Sequence, residues 1–222
     1  MRLALSLAST VLASSLAASA FAANVYDFET PTGGVPGPGV DYVVSGASYL
    51  DGTFAGVTYA PLVNGVAGDG VAANGSAFGF TNAPQGVQVG FIQILGSISI
   101  DPTGLTVGHV YDLSFYDAAR YGTDGDQINI TGGGGGGPIG SFVPVLASFS
   151  LATYQFTATG TSEVITFAGV DPTLTDQTTA LDEISVTPVP VPEPAAWAMM
   201  LAGFGAVGSL VRARRTKRLA EA

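Results

Sequence analysis

The sequence predicts an all-β fold, a β-sandwich over residues 23–187, and three observations carry that expectation. Charged residues make up only 11% of the 222 positions, against roughly 25% in an average globular protein. In their place stand 31 Gly, 13 Pro and many Thr, Ser and β-branched residues, the composition of short strands joined by frequent turns. From Asn24 to Thr187, apolar and polar residues alternate in short runs broken by Gly, Pro, Asn and Asp, and no helical period of useful length intervenes.

The elements follow in chain order. Residues 1–22 read as a signal peptide: Arg2 supplies the positive start, Leu3 to Leu16 the apolar stretch, and Ala20-Phe21-Ala22 a small-residue cleavage site. Signal peptidase then leaves a mature chain starting at Ala23. TPTGGVPGPG (30–39) is a loop by its Pro and Gly content. VYDLSFYDA (110–118) places Tyr111, Leu113 and Phe115 on one face of a strand and Asp112, Ser114 and Tyr116 on the other. DQINIT (126–131) alternates through Ile128 and Ile130. YQFTATG (154–160) and EVITFAGV (163–170) continue the pattern, and TALDEISVT (179–187) closes the domain. The six glycines Gly132–Gly137 precede IGSF, and a phosphate-cradling loop needs Lys-Ser/Thr and a helix there. The run therefore reads as a hairpin connection.

The charges are unevenly placed. Five of the seven basic residues (Arg212, Arg214, Arg215, Lys217 and Arg218) crowd the C-terminus, and Arg2 opens the chain. Only Arg120 remains for the body, against 15 acidic residues. Such a surface repels phosphate backbones, which argues against nucleic acid as a partner and favours cations or neutral polymers. The absence of Cys excludes a disulfide framework and a zinc-thiolate site.

The C-terminal segment, 188–222, has its own logic. Ala195 to Val211 carry no charge, and about 17 residues at ~1.5 Å rise span roughly 26 Å as a helix, the short end of a bilayer crossing. Trp197 fits the outer aromatic belt, and the basic stretch 212–218 fits a cytoplasmic anchor in the inner membrane. Pro192-Glu193-Pro194, the apolar helix with Trp197, and the basic end together resemble the PEP-CTERM sorting signal of Gram-negative bacteria, in its variant with a Trp-Ala pair. That resemblance implies recognition by an exosortase, cleavage near the PEP motif, and delivery of the body to the envelope or extracellular polymer. The two prolines keep the segment extended and accessible to a protease cleft.

The body has a second resemblance. YDFETP, GHVYDLSFYDAAR, YQFTATGTSEVITFAG and TTALDEISV together resemble the jelly-roll sandwiches of carbohydrate-binding modules with a galactose-binding-like fold. In such modules an early Glu after an aromatic and the Asp of the last strand often hold a structural calcium; those positions are Glu29 and Asp182 here. The residues point the same way. Asp182 has the strand parity of Ala180, Ile184 and Val186, so it is expected to face inward. A buried carboxylate is costly unless paired or metal-bound, and Ca²⁺ takes oxygen ligands from carboxylates and backbone carbonyls. The alternative is that Asp182 accepts backbone hydrogen bonds and binds nothing. The second acidic turn, Asp124-Gly-Asp126, reads as a solvated Asx-turn.

Acid–base or nucleophilic chemistry needs a base, a nucleophile and an orienting partner. The only His, His109, reads as a surface-turn residue, and no nucleophile elbow appears. Arg120 is expected to pair with Asp117 or Asp124. Tyr116, Tyr121 and Tyr154 are candidates for stacking on sugar rings, against the commoner role of aromatics in a core. The sequence thus predicts a non-enzymatic exported module that binds or organises exopolysaccharide. A structural matrix protein without a specific ligand is the alternative, and a glycosidase working through paired carboxylates the more distant one.

Overall fold

The structure, a computed structural model, describes residues 23–63, 68–122, 125–132, 136–144, 147–170, 176–190, 198–209 and 212. Two antiparallel sheets are laid face to face. The strands are β1 (Asn24–Tyr26), β2 (Val40–Val44), β3 (Ala47–Leu50), β4 (Gly52–Phe54), β5 (Val57–Tyr59), β6 (Gly68–Ala73) and β7 (Gln88–Gln93). They continue as β8 (Ser97–Ile100), β9 (Val110–Ala119), β10 (Ile128–Gly132), β11 (Gly137–Phe142), β12 (Ser150–Thr157), β13 (Ile165–Gly169) and β14 (Thr178–Pro188). The larger sheet runs β12-β9-β14-β7-β6-β3-β2, with β1 added on β14; the smaller runs β11-β10-β13-β8-β5-β4. Sequential neighbours in one sheet alternate with crossings to the other, as in a jelly roll.

Alternation sorts the side chains as the sequence predicts. Tyr111, Leu113 and Phe115 of β9 are buried between the sheets, while Asp112, Ser114 and Tyr116 lie half-buried on the opposite face. Ile128 and Ile130 of β10 are also interior. Phe115 meets Phe167 edge to face, 5.1 Å between ring centroids, which ties the larger sheet to the smaller. Each such buried side chain contributes about 1.5–3 kcal/mol relative to exposure.

Two features depart from the sequence reading. The first is a β-bulge in β14: Asp182 pairs with Tyr116 and Ser185 with Ser114, so two residues of β14, Glu183 and Ile184, oppose the single Phe115 of β9. Glu183 takes φ 51° within it. Parity therefore flips at this point. Leu181, Ile184 and Val186 face the core between the sheets. Asp182 is fully buried but shares the other face with Ala180. The predicted common parity of Asp182 with Ile184 and Val186 is corrected accordingly.

The second is a separate apolar cluster on the outer face of the larger sheet. Ala47, Tyr49, Ala72, Val89, Phe91, Ala118 and Ala180 line it, and Phe78 from the loop after β6 closes over them. Small residues on the central strands leave room for Phe78, which stands 4.6 Å from the ring of Phe91.

Beyond the sandwich, residues 198–209 form an exposed helix and Arg212 is exposed. Among the described residues no helix is long and apolar enough to cross a membrane. The signal peptide (1–22), Pro192, Glu193, Pro194, Trp197, Arg214, Arg215, Lys217 and Arg218 lie outside the described residues.

Candidate functional site

Pairing of the first strand with the last brings the two candidate metal carboxylates together. β1 and β14 are antiparallel partners, with Tyr26 opposite Ile184. Glu29, three residues past Tyr26, and Asp182 both receive backbone amides from one short segment, 85–88. The amides of Val87 (3.0 Å) and Gln88 (3.3 Å) donate to Glu29 Oε1. The amide of Gln85 donates to Asp182 Oδ2 at 3.0 Å, and that of Glu183 to Oδ1 at 2.8 Å. Burial pushes the Asp182 carboxyl up to about 7, against the pull of those two amides and with the negative charges of Glu183 and Glu29 adding to the rise.

The backbone is strained on both sides of this pair. Phe28, just before Glu29, has φ 59°, and Glu183, just after Asp182, has φ 51°; side chains with a Cβ pay for that region. Gly86 sits between the donor amides at φ +68°, and a Cβ on it would lie 2.0 Å from Glu29 Oε1. Glycine is required there on both counts. Among the described residues no three His, Cys, Asp or Glu side chains converge on one point. A cation here would take two carboxylates and complete its shell from main-chain carbonyls and water. Glu29 Oε1 and both Asp182 oxygens already accept main-chain amides, as the alternative reading of Asp182 expects, so a calcium ion would have to share those oxygens.

On the same outer face, a chain of polar contacts runs along the rim of the Phe78 cluster. The Tyr49 hydroxyl donates to Gln93 Oε1 at 2.5 Å, and Gln93 Nε2 donates to Asp176 Oδ1 at 3.0 Å. Asp176 also takes Arg120 in an ion pair, and the Arg120 guanidinium lies 5.3 Å from the centroid of the Phe78 ring. Burial, with Asp176 nearby, pushes the Tyr49 hydroxyl up to about 12, so it stays a hydrogen-bond donor at any ordinary pH. Two tyrosines flank the chain and face solvent. Tyr42 is 58% exposed and tilts against Tyr49 at 5.9 Å, and Tyr121 is 77% exposed beside Gly79. A flat aromatic rim around fixed polar groups can stack on a ring and hold its hydroxyls.

Several sequence expectations change here. Arg120 pairs with Asp176, brought near by the approach to β14. Asp117 points instead between the sheets, where Ser150 Oγ donates to it at 3.5 Å. Asp126 is fully buried rather than solvated, its carbonyl accepting the Thr179 hydroxyl at 3.0 Å; Asp124 lies outside the described residues. Tyr154 stacks on Phe115 at 6.0 Å and donates to the Ser141 carbonyl, so it serves the core. Tyr116 is half-buried, and Tyr121 alone of the three named candidates stands free. Tyr42, Tyr49, Gln93 and Asp176 escaped the sequence reading, because only sheet order makes them neighbours. His109 is exposed in its turn.

Residues 190–215 match the PEP-CTERM protein-sorting motif. The chain therefore carries the sorting signal of an exported protein with a C-terminal anchor processed by an exosortase. Among curated proteins no match is found. Among solved structures, a cyclase from Fischerella sp. TAU, in complex with 4-(1H-indol-3-yl)butan-2-one, is similar over 75% of this chain and 96% of its own at 15% identity, TM-score 0.51. The Stig cyclase Fisc from the same organism covers 75% and 95% at 17% identity, TM-score 0.50. The CBM22-1-CBM22-2 tandem domain of Paenibacillus barcinonensis Xyn10C covers 80% and 49% at 17% identity, TM-score 0.48. At these identities the likeness to the two cyclases shows the fold alone, and a fold does not fix a function.

Proposed function

We propose that this exported protein is a non-enzymatic module that binds exopolysaccharide on the outer face of its larger sheet, with a calcium ion held by Glu29 and Asp182. One observation carries the reading: two solvent-facing tyrosines, Tyr42 and Tyr121, flank the fixed polar chain Tyr49–Gln93–Asp176–Arg120. Stacking supplies area, and the guanidinium, carboxylate and amide supply donors and acceptors for sugar hydroxyls. The calcium is structural in this reading, tying the N-terminal segment to the last strand and the 85–88 segment below the binding face. The sorting tail delivers the body to the envelope, where such polymers are found.

The test is binding of soluble polysaccharides to the full chain held in zwitterionic, sugar-free detergent. Tyr121→Ala and Tyr42→Ala should each weaken binding about tenfold, the equivalent of ~1.4 kcal/mol, with unchanged thermal stability. Retention of no polysaccharide at millimolar concentration would favour a structural matrix protein. Turnover of a glycan, lost on a single Asp or Glu substitution, would make the protein a hydrolase.

A further inference from the structure

A sheet ends in strands whose outer amides and carbonyls have no neighbour, and folded proteins blunt such edges with charge, proline, bulges or brevity. The larger sheet ends at β12 and β2 and the smaller at β11 and β4, with β1 as a further short edge beside β14. Four of these five edges are blunted. β2 carries Asp41 and a register shift between Val40 and Tyr42. β11 carries Pro138 and an irregular register against Ile130 and Thr131. β1 and β4 have three residues each.

β12 has none of these devices. Its eight residues, SLATYQFT, include no charge, Pro or Gly, and they pair with β9 without a register shift from Ser150–Asp117 to Thr157–Val110. Just past the strand, the Ala158 amide donates to the His109 carbonyl at 2.9 Å. Counting back in twos from that bond, the even-numbered residues turn their main-chain groups toward β9, and Leu151, Thr153, Gln155 and Thr157 turn theirs away. Among the described residues no other strand lies beside them. Their side chains are exposed as well, Leu151 to 61%.

We propose that β12 is the contact of a two-fold dimer, pairing antiparallel with β12 of a second copy so that the two larger sheets become one. The register that engages all four free residues sets Leu151 opposite Thr157 and Thr153 opposite Gln155, with the two-fold axis beside Tyr154. Four such pairs exchange about eight main-chain hydrogen bonds. Charge favours a twin over a foreign strand. The body holds 15 acidic residues against Arg120, so acidic partners are repelled and basic ones are drawn to the charged surface elsewhere, whereas β12 meets its twin neutral against neutral. Asp112 and Asp117 of β9 lie one strand in, about three strand spacings (~14 Å) from the facing β9 and beyond a Debye length at physiological salt. The blunted far edges stop the sheet at two copies, so the assembly closes instead of growing into a fibre. A two-fold axis normal to the sheet keeps both tyrosine faces on one side, and the pairing does not depend on what those faces bind.

The test is sedimentation of the full chain in zwitterionic detergent, from micromolar to near-millimolar protein, with a spin label on Thr157→Cys for distance measurement. The natural chain has no Cys, so the label goes to one place. A dimer is expected, tighter in high salt than in low because it brings two acidic bodies together. Thr157 and its twin stand six positions apart along the joined strands, so at about 3.4 Å per residue the label distance should centre near 20 Å. Thr153→Pro removes one free amide and leaves the β9 ladder intact. It should weaken the dimer roughly tenfold or more at similar thermal stability, and Tyr42→Ala on β2 should leave the dimer unchanged. A chain monomeric throughout, a series of growing oligomers, a dimer weakened by salt, or a dimer that survives Thr153→Pro would each overturn the proposal. If Thr153→Pro does not fold, the label distance decides alone, and a distribution with no peak near 20 Å overturns the pairing.

Discussion

Raising the pH from 5 to 7 should destabilise this fold steeply, and Asp69 should account for one proton's worth of the effect. Asp69 is the second residue of β6 in the larger sheet and is fully buried. Its Oδ1 accepts the Ala60 amide at 3.0 Å, just past β5 of the smaller sheet, and its Oδ2 the Ser97 amide at 2.8 Å, at the start of β8 in that sheet. The side chain thus clamps one sheet to the other. Burial pushes its carboxyl up to about 8; the two amides oppose the rise, and the charges of Asp51 and Asp41 add to it. The folded state therefore keeps a proton that the unfolded chain releases near pH 4. For such a raised group, stability is fully present below the unfolded value and is lost as pH climbs toward the folded one. Between those limits the loss is about 1.4 kcal/mol per pH unit, or ~2.7 kcal/mol from pH 5 to pH 7. For a chain of this size that lowers the melting temperature by roughly 5–11 °C. Asp182 has a raised carboxyl too, so the wild-type slope exceeds one proton. The comparison is with Asp69→Asn, measured calorimetrically in chelator at several pH values. That variant forfeits one acceptor at every pH, about 1–3 kcal/mol, but its slope should be shallower by one proton. An Asp69→Asn chain with the wild-type slope would refute the reasoning, because Asp69 would then be ionised in the fold.

Three further outcomes are expected. Removing calcium with a chelator should lower the melting temperature by several degrees at pH 8, since an ion at a hundredfold excess over Kd stabilises by about 2.7 kcal/mol; Asp182→Ala should erase the difference between curves with and without chelator. Gly86→Ala places a Cβ 2.0 Å from Glu29 Oε1 at a positive φ, so it should cost more than 1 kcal/mol in denaturant unfolding and weaken calcium binding measured by titration calorimetry. Replacing Pro192-Glu193-Pro194 by alanines should leave the protein membrane-held, seen as an unprocessed band in the membrane fraction; equal mass and equal release of mutant and native forms would count against exosortase processing.

Much of this protein is a matter of local pattern, and that part is legible in the chain. Alternation of period two in 110–118 and 126–131 names the buried faces because a pleated strand can do nothing else with Leu113, Phe115, Ile128 and Ile130. The sorting tail is legible for the same reason: its prolines, apolar stretch and arginines act in sequence order. Tertiary structure decided the rest. Nothing local announces that Glu183 bulges, yet that one extra residue turns Asp182 away from the face of Ile184 and Val186 and toward Glu29. Arg120 finds Asp176 rather than Asp117, because a strand sends Asp117 to the opposite face from its neighbours. Tyr42, Gln93 and Asp176 lie far apart along the chain and share a rim only because β2, β7 and β14 lie in one sheet. Periodicity fixes which way a side chain points within its strand; which strands become neighbours is set by the burial of both sheets at once, and a site assembled across strands exists only after that choice is made.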